Sequence, residues 1–360
     1  MLFLSFGVFT SLVSSAAAFD AVGGSLRVRH ALHEDHGKRF FNFSSVDRYR
    51  GEDFFDDTLW SFITFAGPSG GQVKYMSGAD AQAKGLAYVQ PDGKAVLRVD
   101  SWTNLPFGAP RDSVRISSMK AFNHGLVVAD FASMPSACSV WAAFWTNGPN
   151  WPHNTGPLAY SGEVYIVEGV NLKSSLVNFL GSPFYYRINL RSTPARNQEC
   201  SVPKQAPVIG GDRAFTAEVL NTNCSSLSTS DTGCSFCDPS IKSFGQGFND
   251  AGGGVFALLR NRNGFKIWFF ERQSIPNDIS SGHPDPYSWA PPNAFLSADD
   301  CNVDSYFSPQ TLILDTAICG GWASSDYPNS GCGGNCAQQV TSGNNFVNAT
   351  WVINYIDVYN

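Results

Sequence analysis

No long segment between Phe40 and Asn360 holds the 3.6-residue apolar stripe of a helix. "AVLRVDSW", "SVRISSM", "GLVVADFA", "VWAAFW", "VYIVEGV", "VFALLR", "FKIWFF", "TLILDT" and "WVINYIDVY" are short and rich in β-branched and aromatic residues. Runs of this kind suit a pleated strand, whose successive side chains point to opposite faces. Gly, Pro, Asn, Asp and Ser separate them, drawn from a chain with 34 Gly and 20 Pro. Only "ADAQAKGLA" reads as a short helical turn. Strands without interleaved helices must bury their apolar faces against a second sheet. The expected fold class is therefore all-β, a jelly-roll sandwich of two antiparallel sheets. Nothing repeats at a fixed period and no linker divides 40–360, which reads as one domain.

The first residues differ. "MLFLSFGVFTSLVSSAAAFD" is an apolar run closing on the small residues Ala16, Ala17 and Ala18, without the usual positive start. It reads as a signal peptide over 1–18 and is short for a membrane span. Residues 19–39 read as a leader or propeptide ending at the dibasic pair Lys38-Arg39, where trimming is expected. His30, His33 and His36 with Glu34 and Asp35 could suggest a metal site, but a solvated leader accounts for them. Secretion agrees with sequons at Asn42, Asn223 and Asn348. It also agrees with nine cysteines, enough for a disulfide framework with at least one thiol left over. Cys234-x2-Cys237 and Cys332-x3-Cys336 have zinc-knuckle spacing, but their loops lack a well-placed histidine, and no metal or other cofactor is expected. A net charge of −6 favours neither nucleic acid nor an anionic membrane. A neutral partner, and a monomer in the extracellular space or cell wall, are the expectation.

"SGEVYIVEGVN" (161–171) sets two acids, Glu163 and Glu168, in a strand-forming run. Residues five apart on a regular strand face opposite ways. A β-bulge between them, a device enriched beside active sites, would bring both onto one face together with Tyr165. Retaining glycosidases need two carboxyls about 5–5.5 Å apart, one as nucleophile and one as acid/base. Two solvent-facing acids on an edge strand are the alternative. Upstream, "VWAAFWTNGPNW" supplies Trp141, Trp145 and Trp151, and indoles stack on sugar rings. Trp141, in an alternating run, could belong to the core; Trp151, in a Gly-Pro-Asn loop, is harder to bury. "GPSGG" at 67–71 fits a serine-hydrolase elbow in letters only, because the following "QVKYMSG" is extended rather than helical.

Those stretches together resemble a known family. "DRYRGEDFFDD", "RDSVRISS", "WAAFWTNGPNW", "GEVYIVEGVN", "GGGVFALL", "KIWFFERQSIPNDI", "PDPYSWAPPNAFLSADDCNVDSYF" and "CGGWASSDY" occur in the order of the fungal-type laminarinase and endo-β-1,3(4)-glucanase branch of glycoside hydrolase family 16. The resemblance runs from about Phe40 to Asn360. It implies a jelly roll with a concave sheet crossed by a glucan cleft, and retaining cleavage of β-1,3 or mixed β-1,3/1,4 glucans. Matched to the family's Glu-x-Asp-x-x-Glu, Glu163 falls on the nucleophile and Glu168 on the acid/base. Tyr165 stands where the family has an assisting Asp. Other departures are "ACSVWA" for Gly-Cys-Gly-x-Trp-Pro, Leu190-Arg191-Ser192 for Leu-His-Thr, and "CGGWAS" for Cys-Gly-Asp-Trp-Ala-Gly. Trp145, Trp151 and Trp322 remain as sugar platforms. Against hydrolysis stand two alternatives: a catalytically impaired glucan-binding protein of the same fold, and a glucan transglycosylase.

Overall fold

Alternation writes the sheets. The computed structural model describes residues 43–360 except 66, 68, 150, 152–161, 174–186, 192–199, 205–213 and 225–232, with the backbone alone at 187–191. The signal peptide, the leader with its histidines, and Asn42 lie outside the described residues.

β1 (Ser45–Tyr49) joins an outer sheet, and β2 (Trp60–Phe62) the edge of an inner one. β3 (Val73–Tyr75) precedes the outer hairpin of β4 (Ala87–Val89) and β5 (Ala95–Arg98), then pairs in parallel with β6 (Arg111–Ser113). β7 (Arg115–Phe122) is inner and β8 (Gly125–Ser133) outer. β9 (Val140–Asn147), β10 (Glu163–Val170), β11 (Arg187–Arg191), β12 (Glu218–Asn221) and β13 (Cys234–Cys237) are inner. β14 (Gly254–Asn261), β15 (Gly264–Glu271) and β16 (Ala294–Ser297) are outer. β17 (Gln310–Ile318) then returns to the inner sheet and β18 (Thr350–Tyr359) to the outer. The inner sheet runs β12-β13-β11-β10-β9-β17-β7-β2, the outer β16-β15-β14-β8-β18-β5-β4 with β1 also on β18. Hairpin neighbours such as β14-β15-β16 and β9-β10-β11 alternate with long-range ones, β8-β18, β18-β5, β9-β17 and β17-β7, as a jelly roll requires.

Between the sheets, Phe131 meets Phe144 across the sandwich with ring centroids 5.4 Å apart and Trp351 at 5.1 Å, and all three are fully buried. Each such side chain contributes about 1.5–3 kcal/mol by leaving water. Part of the outer sheet is apolar on its far face as well. Leu126, Val128, Val255, Ala257 and Leu259 form a second cluster, capped by Ile275, Ile279 and Trp289 from the loops after β15. Helices are short; the expected turn of helix in "ADAQAKGLA" is Gly78–Ala83, whose first turn is capped by the Ser77 hydroxyl. "QVKYMSG" is extended at β3, as expected.

Four disulfides join Cys138 to Cys332, Cys200 to Cys301, Cys224 to Cys234, and Cys319 to Cys336. Both zinc-like pairs therefore have sulfurs committed to partners elsewhere. Cys237 is the odd thiol, and it is buried. Among the described residues no helix is long and apolar enough to cross a membrane.

Candidate active site

On β10 the ladder to β9 breaks. Tyr165 pairs with Trp145 and Val167 with Phe144, so Ile166 is the extra residue of a bulge. Ile166 and Val167 both turn into the core and are fully buried. That one-residue change of phase returns Glu168 to the face that carries Glu163 and Tyr165. Glycines flank the pair for steric reasons. Gly162 has φ +63°, and a Cβ there would lie 2.3 Å from the Phe307 ring; one on Gly169 would lie 2.5 Å from Phe244.

β9 supplies the facing row. Trp141, Ala143, Trp145 and Asn147 stand opposite Val170, Glu168, Tyr165 and Glu163, while Val140, Ala142, Phe144 and Thr146 turn inward. Ala143 also lies opposite Asp315 of β17. One methyl group thus separates two strands that each carry a carboxylate.

Each glutamate meets an indole. The Trp151 Nε1–H donates to Glu163 Oε1 at 2.7 Å, and the Tyr165 hydroxyl donates to Glu163 Oε2 at 2.9 Å. The Trp141 Nε1–H donates to Glu168 Oε1 at 2.9 Å. Glu168 is fully buried, whereas Glu163 is half-buried. Bonds to a carboxylate are stronger than neutral ones and hold it in one orientation. Trp141 is half-buried: its ring packs against the edge of the core while its nitrogen bonds the Glu168 carboxylate.

Trp145 has a different place from that expected of an open platform. It is 2% exposed, stacks on Tyr165 with centroids 5.0 Å apart and planes 5° from parallel, and meets Trp151 edge-on at 5.2 Å. It supports Tyr165 from the side. Trp151 is half-buried beside Phe65, at 5.9 Å. A cavity of about 350 Å³ opens next to it, lined by Ile63, Phe65, Arg115, Asn147, Thr311 and others. Trp322, on the helix Gly320–Asp326, forms a right-angled corner with Trp141, centroids 5.7 Å apart and planes at 89°. The three tryptophans thus divide between the two acids: Trp145 and Trp151 at Glu163, Trp322 toward Glu168. At Leu190-Arg191, β11 sets Arg191 in register with Glu163.

Two further charged residues sit on this face that the sequence reading did not single out, Asp315 and Arg115, the latter within "RDSVRISS". Asp315 Oδ2 accepts from Arg115 Nε at 3.0 Å, Arg115 Nη2 at 2.7 Å and the Tyr75 hydroxyl at 2.8 Å. Its Oδ1 accepts the Trp145 Nε1–H at 3.0 Å. The pair is buried, and burial together with the Asp315 carboxylate pushes the Tyr75 hydroxyl well above its ordinary range. Burial pulls the Arg115 pKa down, but Asp315 and Tyr75 outweigh it and hold the guanidinium charged. The signal available in the sequence was a lone Asp in the apolar run "TLILDT". A buried acid in a strand needs a partner.

Two acids turned to one face by a bulge, each bonded to an indole, can act on a sugar lying across the sheet. The XgeA-like catalytic domain model of glycoside hydrolase family 16 (GH16) matches residues 60–359. The chain belongs to glycoside hydrolase family 16. A probable glycosidase of Schizosaccharomyces pombe is 34% identical to this GH16 chain over 88% of its length and 69% of the relative. An endo-1,3(4)-beta-glucanase of Arthroderma benhamiae is also 34% identical, over 87% of this chain and 64% of its own. A probable endo-1,3(4)-beta-glucanase of Aspergillus niger is 33% identical and longer still, so this chain covers only 40% of it. Among solved structures, GH16 laminarinase 16A of Phanerochaete chrysosporium, with two β-glucans in its donor and acceptor sites, superposes with TM-score 0.77 at 32% identity. That superposition covers 89% of this chain and all of the other. An elongating GH16 β-1,3-glucosyltransferase gives 0.76 at 32% identity, over 88% of this chain and all of that one.

Proposed function

We propose that this GH16 protein is a secreted endo-acting glycosidase that cleaves β-1,3 or mixed β-1,3/1,4 glucans with retention, through Glu163 as nucleophile and Glu168 as acid/base. The observation that carries the reading is the bulge at Ile166, without which the two acids would lie on opposite sides of the sheet. The names of the relatives and the glucans bound to laminarinase 16A support the substrate class.

In the first step a Glu163 oxygen attacks the anomeric carbon while Glu168 gives its proton to the departing glycosidic oxygen. A glycosyl ester of Glu163 results. In the second, Glu168 takes a proton from water as the water oxygen attacks the same carbon and frees Glu163. Trp151 and Tyr165 fix the attacking carboxylate between two donors. Tyr165 takes the place of the family's assisting Asp with a donor that brings no second charge. Trp145 stacks on Tyr165 and is itself held by Asp315, which Arg115 pairs. Trp151 and the neighbouring cavity receive sugars on the Glu163 side, and Trp322 with Trp141 receives the leaving portion. Four disulfides agree with an extracellular site of action after removal of 1–18 and trimming near Arg39, leaving 40–360 as the catalytic domain. Asn348 is exposed just before β18 and is the most accessible described sequon; Asn223 is half-buried.

Azide separates the two roles. With an aryl β-laminaribioside, Glu168→Ala plus azide is expected to give the β-glycosyl azide, by attack on the glycosyl ester. Glu163→Ala plus azide is expected to give the α-azide, by direct displacement. Swapped configurations would reverse the assignment, and undiminished laminarin hydrolysis by either variant would refute the mechanism.

A further inference from the structure

Beyond Glu168 the chain leaves β10 through a turn with no counterpart in the catalytic scheme. Asn171 adopts φ +57°, is 1% exposed, and uses both ends of its amide. Its Oδ1 accepts the Ser139 N–H at 3.0 Å, and its Nδ2 donates to the Ala323 carbonyl at 3.0 Å. The exit of the Glu168 strand is thereby tied to the start of β9 and to the helix that carries Trp322. Two residues on, Lys173 is 9% exposed, with Nζ 2.5 Å from Asp326 Oδ1 and 5.7 Å from the centroid of the Trp322 ring. Asp326 is the last residue of the same helix. Its other carboxylate oxygen is buried without a hydrogen-bond partner among the described residues.

A nearly buried ion pair is a weak source of stability but a firm setter of position, since either charge alone is penalised by burial. This one joins the segment after Glu168 to both ends of the Trp322 platform: the ammonium on the ring, the carboxylate one turn beyond it. Trp322 in turn corners Trp141, whose N–H is on Glu168. The chain of contacts therefore runs from Lys173 to the acid/base carboxylate, along the side where the leaving sugar must lie.

We infer that Lys173, through Asp326, is a positioning residue that fixes the Trp141–Trp322 corner and so sets affinity for the sugar on the leaving-group side. The inference rests on the glycosidase reading for the direction of the leaving group, and its first test, a binding measurement, needs no turnover. In a Glu163→Gln background, laminarihexaose binding is measured by calorimetry with and without Lys173→Met. The expected loss is roughly two- to thirty-fold, the span of a cation–π contact, with Lys173→Arg restoring most of it. In the otherwise wild-type enzyme, the same change raises KM for laminarin more than it lowers kcat. It also reduces kcat/KM for laminarin more than for an aryl β-laminaribioside, which has no sugar on that side.

Lys173→Met strands a buried carboxylate, so Lys173→Met/Asp326→Asn, which removes both charges, is measured in parallel. A folded double variant with the same selective loss supports the inference. Unchanged hexaose binding, equal loss on both substrates, or no restoration by Arg overturns it. Wild-type protein inert on every β-glucan would refute the glycosidase reading instead, and the binding measurement would still decide the role of Lys173.

Discussion

Tyr165 earns its place by two contacts at opposite ends of one ring: its hydroxyl on Glu163 and its face on Trp145. They can be separated. Tyr165→Phe keeps the stack and removes the donor, so the fold should be untouched while one oxygen of Glu163 loses its tether. A hydrogen bond to a charged group is worth about 1.5–3 kcal/mol, which converts to a fall in kcat/KM of roughly tenfold to a hundredfold. Steady-state kinetics on laminarin check the fall, and a thermal melt within about a degree or two of wild type would confirm that packing is intact. An unchanged kcat/KM would mean that Trp151 alone suffices to orient the carboxylate.

At the scale of the strand, phase matters more than identity. β10 needs its extra residue because five positions separate the acids. Inserting one alanine after Ile166 lengthens the separation to six: with one bulge kept, Glu168 turns toward the core, and without it Glu168 slips two residues along β9, opposite Trp141 instead of Ala143, so the pair is misaligned either way. Activity is expected to fall by at least ~10²-fold, the range of a lost general acid. The protein should also be strongly destabilised, by about 3–5 kcal/mol for a carboxylate stranded without a partner. Deleting Ile166 is the informative contrast. It leaves a four-residue spacing, at which a regular strand also presents both acids together, so measurable hydrolysis should survive. Stability should nevertheless drop by about 2–5 kcal/mol for the lost core side chain. Equal activity from the two variants would show that the bulge is not what aligns the pair.

For the molecule as a whole, alkaline pH is the revealing condition. Burial first, and nearby carboxylates second, push the phenols of Tyr49 and Tyr359 up to about 12. Both are almost fully buried, at 3% and 2% exposure. An unfolded phenol ionises near 10. Because the folded values are raised, the contribution of these groups to stability is complete below pH 10 and is lost progressively as pH rises from about 10 to 12. Two units correspond to roughly 2–3 kcal/mol for each. Urea melts between pH 8 and 12 should therefore show a midpoint that begins to fall near pH 10, with phenolate absorbance appearing together with unfolding. Phenolate absorbance well ahead of unfolding would mean that these rings ionise in place.

"VWAAFWTN" and "EVYIVEGV" carried their faces in their letters, because a period of two is a local property of the backbone. The all-β class, the two-sheet sandwich, the need for a bulge between Glu163 and Glu168, and an odd cysteine count that leaves at least one thiol outside the disulfides all followed from local pattern, spacing or parity. Which thiol was left over did not follow, since Cys237 is singled out only by where four other pairs come together. Nor did the burial of Trp145, the turn of Trp141 toward Glu168, or the pairing of Arg115 with Asp315 across 200 residues. Those depend on which strands become neighbours. Neighbour choice in a jelly roll is set by the packing of two whole sheets, a quantity that no short stretch of chain contains.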